Sequence, residues 1–149
     1  MQANRSALAA DHFLQAAKNL APAILAERER IEQSRELPAA LIETMCEAGL
    51  FSLWLPTALG GPEPALLDFV RIIEAIARAD GSVRWCVAVG ACYSCFAGYL
   101  EESVAREIYG AGNAILAGTL NPTGRVVAVP GGCRVIGQWP YGSGIQHSN

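Results

Sequence analysis

Twenty consecutive uncharged apolar residues occur nowhere in this sequence. The nearest candidate, "WCVAVGACYSCFAGYL" at residues 85–100, runs for sixteen residues between Arg84 and Glu101. A membrane-spanning helix needs roughly twenty, so this segment reads as a helix buried on all sides in a soluble protein. Basic excess is absent too. Eleven Lys and Arg stand against fourteen Asp and Glu, a formal charge of −3, and no basic stripe interleaves with aromatics, so nucleic acid is not an expected partner. The five cysteines are odd in number and irregularly spaced. They make no secreted disulfide framework and fit a cytoplasmic protein with reduced thiols. Cys92 and Cys95 form a C-x-x-C without a second Cys or His pair nearby, so no metal is expected and both read as packing residues. Cys46, Cys86 and Cys133 read the same way. A secretory signal is not read, because Asp11, His12 and Gln15 interrupt the N-terminal apolar residues. Repeats and low-complexity tracts are lacking.

What is present is a chain of 149 residues, 52% hydrophobic, long enough for one domain with a real core. Leu8, Phe13, Leu14, Ala17, Leu20, Ile24, Leu25 and Ile31 recur at helical spacing. They predict one long amphipathic helix over residues 6–34, bent near Pro22. Pro38 and Gly49 bracket a short second helix with Leu41, Ile42 and Met45 on one face. "FSLWLP" then predicts an extended buried connector, followed by a rigid loop through Gly60, Gly61, Pro62 and Pro64. Residues 65–78 repeat Leu66, Phe69, Val70, Ile73 and Ile76, a third helix. Asp80 or Ser82 is placed to cap the next one. Arg84 and Trp85 read as packing at its start, and His12 as solvent-facing. "EESVAREIYG" is a short amphipathic helix stopped by Gly110.

From residue 114 the character changes. "AILAGTLNP", "GRVVAVPGG" and "CRVIGQWPYGSG" are short β-prone runs broken by Pro and Gly. Strands confined to the last quarter cannot close a barrel among themselves. The expected fold is therefore mainly α: a helical domain over residues 1–113 and the first strands of a truncated β domain over 114–149.

The order of these elements resembles the acyl-CoA dehydrogenase superfamily, and within it the flavin-dependent monooxygenase branch. "AGLFSLWLPTALGG" at residues 48–61 is similar to that family's stretch between the second and third helices. "IEAIARADGSVRWCVAVGA" at 73–91 is similar to its Asp-x-Ser junction into a very apolar helix. "AGTLNPTGRV" keeps Thr119, Pro122 and Gly124 of the family's first flavin segment, with Asn121 where the dehydrogenases have an acid. "GQWPYGSGIQH" resembles the G-x-W-x-aromatic-x-S-G-x-x-H segment of two-component hydroxylases, with Trp139 where the dehydrogenases have lysine.

The resemblance implies FAD or FMN as cofactor, a separate flavin reductase as partner, and oxygenation of a small aromatic or polycyclic substrate. It further implies that Thr119, Trp139, Tyr141, Ser143 and Gly144 lie at the flavin, that Tyr93 and Phe96 lie at the substrate, and that His147 takes part in proton transfer. A serine between glycines suits the flavin N5 edge, because the backbone approaches closely beside a hydroxyl. Homo-oligomerisation through a C-terminal helical bundle outside this chain is also implied, and the chain alone is expected to be inactive and to hold flavin weakly. Two alternatives stay open: an FAD-dependent acyl-CoA dehydrogenase, against which Asn121 and Trp139 count, and a non-catalytic helical interaction module.

Overall fold

A computed structural model describes residues 2–149, with side chains described from Ala10 onward; Leu8, counted above on the first helix face, lies outside them. Six helices precede one β-hairpin: α1 (Gln2–Ala26), α2 (Arg28–Ser34), α3 (Ala39–Glu47), α4 (Leu66–Ala77), α5 (Gly81–Tyr93), α6 (Glu102–Tyr109), then β1 (Arg125–Val129) and β2 (Gly132–Ile136). The mainly α architecture is as the sequence predicts, with several boundaries displaced.

The first helix does not run unbroken to Ser34. It passes through Pro22 and breaks at Glu27, whose N–H reaches both Ala23 O (3.3 Å) and Ile24 O (3.2 Å). Pro22 removes one hydrogen bond, yet Ala17, Leu20 and Ile24 are buried on either side of it, and α1 packs chiefly against α4. Tertiary burial holds the helix through the proline.

The connector after α3 is not extended. Leu50–Ser52 and Thr57–Leu59 are 3₁₀ turns. Leu50, Phe51, Leu53 and Leu55 are all buried, and a buried extended segment would need a sheet partner for its backbone polar groups. The turns satisfy them locally, through Ser52 N to Gly49 O (3.2 Å), Leu55 N to Ser52 O (3.0 Å) and Leu59 N to Pro56 O (2.9 Å). Gly61 closes the loop against this connector, where a Cβ would run into the Leu55 carbonyl.

Asp80 caps α5, its Oδ1 accepting from Ser82 N (2.8 Å) and Val83 N (3.0 Å). Its Oδ2 also lies 4.0 Å from the exposed Arg28 guanidinium, a contact that adds little. Asp80→Ala is expected to cost about 1–2 kcal/mol, read as the shift of a urea unfolding midpoint. Asp80→Asn, which keeps the acceptor, should recover most of the loss.

α5 is not buried on all sides. Val83, Val87, Gly90 and Ala91 face the core, while Trp85 is 51% exposed and a second apolar stripe, Trp85, Ala88, Val89 and Cys92, faces a cavity. Helical spacing occurs twice on this one helix, as i, i+4, i+7, i+8 and as i, i+3, i+4, i+7, so composition alone cannot separate two apolar faces from burial all round. The helix also ends at Tyr93, and Ser94–Tyr99 continues as a 3₁₀ segment.

Residues 114–122 form no strand. Their one ladder contact is an isolated antiparallel bridge, Gly118 to Ser143. β1 and β2 pair antiparallel, Val126 against Val135 and Arg125 against Ile136, around a Pro130-Gly131 turn in which Gly131 has φ +83°. Val126, Val135 and Ile136 are exposed. At the base of this hairpin the Trp139 ring lies against Gly124 and Gly137, leaving no room for a Cβ at either glycine.

Candidate functional site

Four stretches distant in sequence meet at one cavity of about 650 Å³. The first wall is the outward stripe of α5 and the turn after it, with Tyr93 and Phe96 stacked at 5.6 Å between ring centroids and 28° between planes. Trp54 closes one end and is itself stacked on Phe69 at 4.3 Å. The opposite wall is the Gly118–Ser143 bridge, which brings Thr119, Leu120, Tyr141 and Ser143 to the same space. The walls nearly touch where Gly118 faces the Tyr93 ring, since a Cβ on that glycine would sit 3.5 Å from it.

The bridge side of the cavity carries the hydroxyl residues Thr119 and Ser143. Thr119 Oγ1 accepts from Asn121 N at 3.2 Å. The Ser143 amide donates to Tyr141 O at 2.8 Å, while its hydroxyl has no hydrogen-bond partner among the described residues. Tyr141 holds a left-handed backbone conformation (φ 62°) and is 91% exposed. Such a conformation in a non-glycine residue is unfavourable and needs support from its surroundings. On the helix side Cys92 is half-buried, and burial, with Cys95 beside it, pushes its thiol above the ordinary range. It is therefore neutral near pH 7.

Five of the eight residues singled out from the sequence line this cavity: Tyr93, Phe96, Thr119, Tyr141 and Ser143. Trp139 does not. It lines a neighbouring cavity of about 460 Å³ with Gly142 and Ile145, which shares Thr119 and Gly118 with the first. Gly144, at φ +81°, opens the 3₁₀ turn Ile145–His147. Sequence reasoning missed Trp54, Trp85, Ala88, Val89 and Leu120, and assigned Cys92 and Cys95 to packing alone; the repeated stripe on α5 was the available signal.

His147 lies elsewhere, so the structure does not bring it to the group expected to share its chemistry. Its Nε2 accepts from Leu37 N at 3.4 Å. Nearby, Asn149 accepts from Ile115 N through Oδ1 (3.0 Å) and donates to Asn113 O through Nδ2 (2.9 Å). These bonds fasten the segment after Ser143 to the turn between α2 and α3 and to the stretch following α6. Burial lowers the His147 pKa below the ordinary imidazole value, partly opposed by Glu36.

A pH dependence follows. Because the folded imidazole is the harder to protonate, its contribution is fully present above the unfolded value near 6.5. It is lost as pH falls through the depressed folded value, where Nε2 ceases to accept from Leu37. The melting temperature should therefore drop on acidification below about pH 6.5, and His147→Gln should flatten that part of the profile. An unchanged slope in the variant would count against the Leu37 contact.

Residues 9–108 match the family described as "Acyl-CoA dehydrogenase, N-terminal domain". An indole-3-acetate monooxygenase of Pseudomonas putida is 31% identical over 76% of this chain and 29% of its own length. The flavin-dependent monooxygenase oxygenase subunit HsaA of Mycobacterium tuberculosis is 27% identical over 94% of this chain and 36% of its own. Among solved structures, XiaF from Streptomyces sp., in complex with FADH2 and glycerol, superposes with a TM-score of 0.88 at 25% identity, over 97% of this chain and 37% of that one. The chain thus spans about a third of the length of the relatives it matches. Among the described residues no helix is long and apolar enough to cross a membrane.

Proposed function

The chain belongs to the acyl-CoA dehydrogenase N-terminal domain family, and from that premise we propose that it forms part of the oxygenase of a two-component flavin-dependent hydroxylase. The substrate is a small aromatic or polycyclic molecule, held between α5 and the Gly118–Ser143 bridge. The cofactor is FAD or FMN in reduced form, delivered by a separate flavin reductase. The enzyme is taken to be a homo-oligomer, and the five free thiols fit a cytoplasmic one.

One observation carries this reading: a bridge between segments twenty-five residues apart sets the Ser143 hydroxyl, without a partner among the described residues, beside an aromatic-lined cavity. The residues present fit a flavin. Ser143 offers a hydroxyl, and a Cβ added at the adjacent Gly144 would meet nothing within 4 Å, so the approach is open. Bound reduced flavin would supply the electrons that activate dioxygen. In that arrangement Ser143 and Thr119 hold the ring's polar edge, Tyr141 covers a face, and Tyr93 and Phe96 orient the substrate ring. Trp139 and Gly144 act one step back, shaping the backbone that presents Ser143. The same holds for His147, whose role becomes positioning through Leu37 rather than proton transfer.

The test is anaerobic titration of the protein with reduced FAD and FMN. Weak binding is expected. Ser143→Ala should weaken it further by about two- to tenfold, the equivalent of one hydrogen bond of roughly 0.5–1.5 kcal/mol. Hydroxylation is tested in a chimera in which this chain replaces the matching third of the HsaA subunit, with a reductase and NADH present. Product should form, and Ser143→Ala should lower product formed per NADH consumed. Unchanged flavin affinity in Ser143→Ala would remove the site assignment and leave the fold in place.

A further inference from the structure

Resting on that reading, we infer that the cavity between α5 and the Gly118–Ser143 bridge selects an uncharged, multi-ring phenol and rejects arylacetates and arylamines. None of the thirteen residues described as lining it is Arg, Lys, His, Asp or Glu. Arg84, next to Trp85 in sequence, is not in the lining; its guanidinium sits 5.5 Å from the centroid of the Trp85 ring.

A ligand carboxylate or ammonium placed here loses water and finds no counter-charge, an unfavourable exchange. A neutral ring system loses nothing comparable. It gains flat contact with Trp54, Trp85 and the stacked Tyr93–Phe96 pair.

Size and polarity narrow the class. A space of about 650 Å³ exceeds what one benzene ring fills, and sites of this size bury drug-sized ligands. Ser143 and Thr119 place hydroxyls on the bridge side, while Trp85, Ala88, Val89 and Cys92 make an apolar stripe along the α5 side. The ligand that matches has a hydroxylated ring on the bridge side and an apolar body lying along α5. This reading departs from the indole-3-acetate named for the Pseudomonas putida relative.

Three indoles test the charge rule by isothermal titration calorimetry of the 149-residue chain at pH 7.5, without flavin: tryptophol, neutral; indole-3-acetate, anionic; tryptamine, cationic. Tryptophol should bind at least about tenfold more tightly than either charged analogue. A ladder of phenol, 2-naphthol and 1-hydroxypyrene should gain about fivefold or better at each step. Leu120→Arg, a substitution at a lining residue that is 80% exposed, should raise indole-3-acetate affinity without improving tryptophol. Arg84→Gln should leave the preference unchanged. Indole-3-acetate or tryptamine binding as tightly as tryptophol overturns the inference. So does the absence of binding by every ligand, or a Leu120→Arg variant that gains nothing. Because no flavin is present, the ligand preference can hold where the Ser143→Ala flavin titration fails, and the two results separate the substrate class from the flavin site.

Discussion

Phe51→Ala is expected to lower the unfolding free energy by about 3–5 kcal/mol. Phe51 is 2% exposed and joins three parts of the molecule. It belongs to the 3₁₀ turn after α3 and fits against Gly90 in the middle of α5, so closely that a Cβ on that glycine would lie 2.7 Å from its ring. The same small space borders Ile115, from the stretch leading to the Gly118 bridge. Truncation leaves a hole with walls from a turn, a helix and a loop, and these cannot collapse together without moving one another. The expected loss is a large share of the 5–15 kcal/mol that holds a typical domain. Leu67→Ala, at a position 72% exposed, should stay within about 0.5 kcal/mol. Chemical denaturation of both variants checks the contrast. A Phe51 effect below about 1 kcal/mol would mean that α5 is not anchored where the turn meets it.

That junction also shows what the sequence made legible. Phe69 and Ile76 on α4, the Asp80 cap and the positive-φ Gly49 after α3 all act through neighbours within about one turn, so local pattern finds them; Leu66 and Val70, counted on the same α4 face, are exposed, and Ile72 is buried in their place. The connector escaped because its apolar density says only that it is buried; whether it is extended or turned depends on where its backbone hydrogen bonds go. The break at Glu27 escaped for a different reason, since helical spacing continues from α1 into α2 across it, while Pro22 stays inside α1, held by packing against α4.

The site divides along the same line. Ser143, Thr119 and Tyr141 stand out through their resemblance to a flavin segment, yet nothing near either residue announces that Gly118 pairs with Ser143. His147 meets Leu37 across 110 positions, a contact without sequence pattern, and so its place as a fastening group could not be read beforehand. The lining of α5 was readable in principle. Two interleaved stripes of apolar residues on one helix leave one stripe free to line a cavity once the other fills the core.

The freedom of that stripe can be tested by filling it. Ala88 lies between Trp85 and Cys92 on the cavity side of α5, half-buried, with its Cβ facing the space rather than the core. Ala88→Trp places an indole where the body of a multi-ring ligand would lie, against a wall that Tyr93 and Phe96 already make flat. Helix propensity costs the variant under about 1 kcal/mol, and no core contact is lost, because Ala88 is not among the residues that pack in or against the core. Folding should therefore persist while affinity for 1-hydroxypyrene falls about a hundredfold or more, close to 2.8 kcal/mol. Flavin affinity should change little, since Ser143 and Thr119 lie on the opposite wall. Ala88→Ser, which adds one small polar atom, should keep most of the hydroxypyrene affinity. Calorimetry on the two variants, with circular dichroism to establish that each is folded, makes the comparison. Undiminished hydroxypyrene binding in a folded Ala88→Trp chain would place the ligand away from α5, and a matching loss of flavin affinity would mean that the two ligands share one wall.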